Sequence, residues 1–445
     1  MTEATETSPG RRPRRAERRG PADLPLSFAG AGHAAAIAEA RGEPAWLAED
    51  RAAATARYVA LPVEVNRLYT PYVDLRAASL EAVRPYVLDG PPGLGDDLEG
   101  LSLPDGVWVE TMSAWLERDP AGFRAMIDGG ATLPDDDRLA TLSRAFWTHG
   151  RHVEIAPGVR VERPIVLRWP EAEPGRALIS RTVVTLGDGA EASLVEELVA
   201  PDAAPAGAQG LLSATTEIRL GAHARLAMSS LQELGPDQVV FQQRRAEVGE
   251  GAELRWALAQ LGGRLVRSRV DNVLVGDRST VEQVEIVFGA QDQLHDLTSY
   301  TRHVGRDTTG QLLSKGVLFD KARSYMKGLI TIDRSAIGTD SFLGEFGMNL
   351  SRTARAVAIP SLEIDQPDCR RAAHSSSVGP IDEGQLFYLE SRGIAPDEAR
   401  KFIVLGFLEP VVARVPLEEA QDRLRDALEA KWSAGLAAGG SATAA

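Results

Sequence analysis

"SRTVVTLGDGAEASLVEEL", residues 180–198, joins two alternating apolar runs through an aliphatic residue and a glycine, Leu186-Gly187. The same join recurs at Leu220-Gly221, Val248-Gly249, Val275-Gly276, Val304-Gly305 and Ile337-Gly338, with successive glycines 34, 28, 27, 29 and 33 residues apart. In the first three copies the third, fifth and seventh residues after the glycine are Ala190, Ala192 and Leu194, then Ala224, Leu226 and Met228, then Ala252, Leu254 and Trp256. That alternation is a strand with one buried face. A unit recurring about every 30 residues, able to bury its apolar side only by stacking on the next, is the signature of a solenoid. With little helical pattern between the strands, the expected fold is mainly β, a parallel β-helix, each glycine permitting the corner where the chain changes face. The apolar residues thin out after the third copy, so an antiparallel sandwich with ordinary turn glycines stays open as the rival reading.

Outward from this core, strand texture covers residues 153–378. Residues 28–152 read as a mostly α-helical N-terminal region: "AGHAAAIAEARGEPAWLAEDRAAATARYVAL" is Ala-rich and splits into two helices at Gly42 to Pro44. A C-terminal helical domain is expected over residues 379–434. There Asp382 caps a helix that Gly393 ends, Pro396 opens a second helix and Pro410 kinks or stops it, and Leu417, Ala420, Leu424, Ala427 and Leu428 line one face of a third. Residues 1–27, an Arg-rich leader, and 435–445, a small-residue tail, are low in apolar content and expected to be disordered. The run "FIVLGFL", Phe402 to Leu408, is apolar on every side of its helix, which calls for cover by its own domain or by a partner.

Composition narrows the function. The 445 residues carry a net charge of −14, which argues against nucleic-acid binding. No window approaches the ~18 uncharged apolar residues of a membrane-spanning helix, and no secretory signal opens the chain, which points to the cytosol. The single cysteine, Cys369, rules out an internal disulfide and any metal cage built from several thiolates of this chain. Phosphate-binding, nucleophile-elbow and zinc-protease motifs are all missing, so a protein without catalysis of its own is expected. His295 and His303 flank "DLTSYTR" at a spacing that defines no metal geometry. His374 differs, because Ala372, Ala373 and Ser375 to Ser377 leave its imidazole accessible, and neutral imidazole binds iron or zinc. It reads either as a ligand or as a hydrogen-bonded structural histidine. Cys369 reads either as a second soft donor or as a small buried hydrophobe.

"IPSLEIDQPDCRRAAHSSSVGPIDEGQLFYLESRGI", residues 359–394, followed by "EARKFIVLGFLEPVV", resembles the C-terminal signature of the SufB/SufD family of iron-sulfur cluster assembly scaffolds, and its SufD branch most. The resemblance implies a right-handed parallel β-helix between α-helical N-terminal and C-terminal regions. It also implies assembly with a SufB-like paralogue, and with a SufC-like ATPase docked on the C-terminal helices, where Phe387, Tyr388, Arg392, Phe402 and Phe407 are the candidate contacts. The family's metal-site histidine maps onto His374, as one ligand of a transient iron-sulfur cluster shared with SufB. Whether such a chain also forms a homodimer when alone is left open by the sequence. Many relatives have C-S-H-G-A or A-S-H-A-A around the histidine, where this chain has A-A-H-S-S with Ala372 two residues before it, so any thiolate ligand would come from the partner. The rivals are a SufB-type paralogue, for which one cysteine off the pattern is too few thiols, and a β-helix carbohydrate-active enzyme, for which no cluster of catalytic acids is visible.

Overall fold

A computed structural model describes residues 20–98, 102–128, 134, 136–201 and 207–438. The Arg-rich stretch up to Arg19 and the tail from residue 439 lie outside these. The N-terminal region comprises α1 (Ala31–Ala40), α2 (Ala45–Ala60), β1 (Arg84–Pro85), β2 (Val107–Thr111), α3 (Met112–Arg118), α4 (Pro120–Asp128) and α5 (Arg138–Phe146). The break between α1 and α2 falls where Gly42 takes a φ of +61° and Pro44 caps the second helix.

Eight rungs follow, each giving one strand to each of two sheets: β3 (His149–Ile155) and β4 (Ile165–Pro170), β5 (Arg176–Leu186) and β6 (Glu191–Val199), β7 (Gly210–Leu220) and β8 (Arg225–Gln232), β9 (Gln238–Val248) and β10 (Glu253–Gln260), β11 (Leu265–Leu274) and β12 (Thr280–Gly289), β13 (Leu294–His303) and β14 (Thr309–Leu318), β15 (Arg323–Ile332) and β16 (Asp340–Asn349), and β17 (Arg355–Ile364) and β18 (Arg371–Gly379). Odd strands pair only with odd and even only with even along the rungs, all in parallel, so the solenoid expectation holds and the sandwich does not. Register is strict. Ile165, Leu194, Met228, Trp256, Gln283, Leu312, Leu343 and His374 form one row across the even sheet. The first seven are buried in the interior. Each aliphatic member contributes about 1.5–3 kcal/mol through the water it sheds.

The thinning of apolar residues after the third copy does not interrupt this interior. Where the first copies bury Ala190, Ala224 and Ala252, the later ones bury Ser279, Thr308 and Thr339. Thr308 reaches Thr339 at 3.3 Å and His303 Nδ1 at 2.8 Å, while His303 Nε2 meets Ser341 Oγ at 3.0 Å. Hydrogen bonding between rungs replaces apolar contact, a substitution that hydropathy alone hides.

The repeat glycines do a different job from the one expected. At Gly187, Gly221, Gly249, Gly276 and Gly305 a Cβ would meet backbone of the preceding rung at 2.6, 2.8, 2.5, 2.0 and 2.3 Å, so these glycines permit close stacking and not an unusual φ. The left-handed residue comes two positions later, at Gly189 (φ +67°), His223 (+60°), Gly251 (+60°), Arg278 (+58°) and Asp307 (+56°). The sixth glycine, Gly338 (φ +77°), belongs to this second set: its amide donates to Asp368, just as Gly251 donates to Asp277 and Asp307 to Ile337. Ala336 occupies the stacked position of that rung.

Each sheet turns its second face to helices. Ala177, Ile179, Leu211, Val239 and Phe241 of the odd sheet pack with Ile37, Leu47, Tyr58, Leu142 and Phe146. On the even sheet, Val284, Ile286, Phe288 and Val317 pack with Val404, Leu408, Leu424, Leu428 and Trp432 from the C-terminal helices, α6 (Glu383–Ser391), α7 (Pro396–Val412) and α8 (Glu418–Ala438). Pro410 neither stops nor shortens α7, which runs two residues past it, and its carbonyl accepts from Arg414 at 2.8 Å. Helix α8 extends four residues beyond the boundary expected at 434, because its buried face continues through Trp432 to Gly435, which lies on the Phe319 ring.

Candidate functional site

The two ends of the solenoid differ. At the first rung, β2 pairs antiparallel with β3 and closes the odd sheet. At the last, β17 and β18 have neighbours on one side only, among the described residues. An edge strand of this length leaves about four N–H and four C=O groups aimed outward, a template for another chain. Along β18, Arg371 and His374 to Val378 are exposed.

His374 sits in the middle of this rim. It stands in register with Leu343, while Ala372 faces Ser341 and Ser376 faces Glu345. Ser341, Leu343 and Glu345 are all buried in the interior, so His374 occupies an inward-facing position that no further rung covers. Its neighbours of the same parity are Ala372 and Ser376, and its side chain is exposed. Cys369 packs, half-buried, with Leu362 and Ala372 on the cluster of Leu312, Ile330, Ile332, Ala336 and Leu343. Among the described residues no three His, Cys, Asp or Glu side chains come together as a metal site. Any ion held at His374 therefore needs ligands from elsewhere.

One rung further in lies a residue that motif reading missed. Glu345 is 1% exposed and accepts a hydrogen bond from the Ile359 amide at 2.8 Å, with no cation paired to it among the described residues. Burial pushes its carboxyl up to about 8, the Ile359 amide opposing only part of that. The signal was legible in "FLGEFG", where Glu345 holds the parity of Ser341 and Leu343. His295 and His303, by contrast, stand at opposite ends of β13 and share no site. Burial drives His295 down to about 3 and His303 to about 4, so both are neutral structural imidazoles.

The C-terminal candidates divide. Helix α6 has no buried residue, although Asp382 caps it through the Gln385 amide at 2.8 Å and Gly393 ends it at φ +85°. Phe387 is 73% exposed, Tyr388 58% with Arg392 over its ring at 5.4 Å, and Phe402 on α7 59%. Phe407 is engaged within the chain: its carbonyl accepts from Lys315 Nζ at 2.9 Å and its ring lies 4.5 Å from the same ammonium. The apolar run Phe402 to Leu408 thus buries Val404 and Leu408 on the sheet and leaves Phe402 outward.

What the fold and its rim define is a parallel β-solenoid with helices on both sheets, its odd sheet extended by β2 at the first rung and both sheets ending, among the described residues, on unpaired strands at the last. No helix among the described residues is long and apolar enough to cross a membrane. Residues 169–407, just over half of the chain, match the family model described as SUF system FeS cluster assembly, SufBD core domain, and the chain belongs to that family. It is 28% identical over 326 residues to the iron-sulfur cluster assembly protein SufD of Bacillus subtilis, covering 73% of this chain and 74% of that one. It is 26% identical over 279 residues to an iron-sulfur cluster assembly SufBD family protein of Mycobacterium leprae, and over 290 residues to one of Staphylococcus epidermidis. The chain spans 32% of the former's length and 62% of the latter's.

Proposed function

We propose that this chain is a SufD-like scaffold subunit of an iron-sulfur cluster assembly complex, not itself an enzyme, working in the cytosol. Its open rim pairs with a SufB-like paralogue, α6 and the outward face of α7 dock a SufC-like ATPase, and His374 gives one nitrogen to the iron of a cluster in transit. The observation that carries this reading is the place of His374, last in a row whose other members are all interior, on a strand with a free edge.

The chemistry follows from what the rim offers and lacks. Imidazole is a competent iron ligand, and thiolates suit iron-sulfur cargo, yet the only thiol here is packed against aliphatic side chains. A partner laid along β17 and β18 would bring sulfur and carboxylate donors to the imidazole while pairing the free edge. Phe387, Tyr388 and Phe402 give α6 and α7 an exposed apolar surface, consistent with a docked subunit.

Co-expression with a SufB-type and a SufC-type protein tests the proposal. Wild-type complex should carry iron and acid-labile sulfide, and His374→Ala complex, assembled to the same extent, should carry less than about half as much. Equal cluster content in the two would remove His374 from the site.

A further inference from the structure

Residues 63–72 cross the outer face of the odd sheet from its middle toward the rim. The Val63 carbonyl faces Arg267 of β11, Tyr69 lies against Tyr300 of β13 with tilted rings 6.1 Å apart and donates from its hydroxyl to the Gly328 carbonyl of β15 at 2.8 Å, and Tyr72 lies 5.9 Å from Tyr325 of the same strand. At its far end Tyr69 also reaches Ser361 of the edge strand β17. Beneath it lies a buried ionic knot: Arg267 meets Glu64 at 2.7 Å and Asp296 at 3.3 Å, and Lys327 meets Asp296 at 2.6 Å. Arg267, Asp296 and Lys327 are at most 3% exposed. Four desolvated charges add little net stability, but they hold the segment in one position. On the segment so fixed, Val65 is 38% and Leu68 51% exposed, and on the edge strands Ile364 of β17 is 46% and Val378 of β18 39% exposed.

We infer that this strap is part of the interface, with Val65 and Leu68 forming an apolar contact for the outer layer of a second solenoid of the same family seated on β17 and β18. The inference rests on the reading that the rim pairs with such a chain. Continuity carries it: a strand added to β17 would lie about 4.8 Å beyond it, and the layer packed on that strand's outer face would meet the strap, which covers the same face of β15. The occupant is not this chain's own first 19 residues, which hold six arginines and no Leu, Ile, Val or Phe to cover two aliphatic side chains.

The test compares wild type, the strap variant Val65→Ser/Leu68→Ser and the rim variant Val378→Asp for binding to a purified SufB-type partner by titration. Amide exchange over residues 64–70 is followed with and without partner, and thermal unfolding of the free chain serves as the folding control. Both strap side chains are exposed, so the free strap variant should melt as wild type. It should bind about tenfold more weakly, and the wild-type strap amides should gain protection in the complex. If the rim variant loses affinity while the strap variant and the strap amides do not change, the strap is no part of the interface and the rim reading stands. If neither variant loses affinity, both fall.

Discussion

Gly276→Ala should cost far more than a methyl group usually does. A Cβ there would lie 2.0 Å from the Glu250 nitrogen, 2.2 Å from the Gly249 carbonyl carbon and 2.5 Å from the Glu250 Cα, all backbone of the rung beneath. No side chain can swing aside, so two rungs must part by more than 1 Å to restore van der Waals contact. That strains the bonds that Val275 and Gly276 both donate to the Val248 carbonyl at 3.1 Å, and the bond from Gly305 to Leu274 at 3.0 Å. With hydrogen bonds worth about 0.5–1.5 kcal/mol each and overpacking about 1–3 kcal/mol, the expected loss is about 3–5 kcal/mol. Urea unfolding followed by circular dichroism measures it, with Gly406→Ala as the control. That glycine lies in α7 with nothing within 4 Å of its Cβ, and alanine there should stabilise by about 0.5–1 kcal/mol. A Gly276→Ala loss below about 1 kcal/mol would mean that the rungs are not held by this column, and the account of the repeat would have to be abandoned.

Two neighbours in one row should behave oppositely: Leu343→Ala should cost about 2–5 kcal/mol, whereas His374→Ala, exposed and covered by nothing, should leave the unfolding midpoint of the free chain where it was. Because the folded-state pKa of Glu345 is raised, the native chain holds a proton that the unfolded chain has released, and stability should fall as pH rises from about 4.5 to about 8. Glu345→Gln, which keeps an acceptor for the Ile359 amide, should flatten that slope; an unchanged slope in chemical denaturation at stepped pH would acquit the residue. Lys431 has the opposite sense, since burial brings its amine down to about 7 and stability should rise as pH climbs from there toward 10.5. Lys431→Met should be insensitive over that range, and a variant still gaining stability with pH would show that the buried amine is not the cause.

The solenoid was legible because its repeat writes two signals at once, period-two alternation and a recurring aliphatic-glycine pair. What the glycine does was not legible. Stacking contacts and left-handed turns both select glycine, and only coordinates separate Gly276 from Gly338. The left-handed corners at His223, Arg278 and Asp307 left no glycine to notice, since a loop hydrogen-bonded to the rungs on either side can hold other residues there at modest cost. At the site, His374 stood out by its small neighbours, but its membership of an interior row follows from register with Leu343, thirty-one residues away, which no local pattern contains. The ionic knot under the strap was hidden for the same reason. Glu64, Arg267, Asp296 and Lys327 look like ordinary surface charges until the topology buries them together.

The cap that β2 places on the first rung has a consequence for how the molecule is made. A ribosome delivers the chain from the closed end, so each finished coil offers a floor on which the next can settle while translation continues. The ragged top is always the newest part, and it becomes final only when β18 has emerged. Helices α7 and α8 then leave the exit tunnel and fold back over the even sheet. The edge along which we propose that another chain pairs is therefore complete only once β18 has been made.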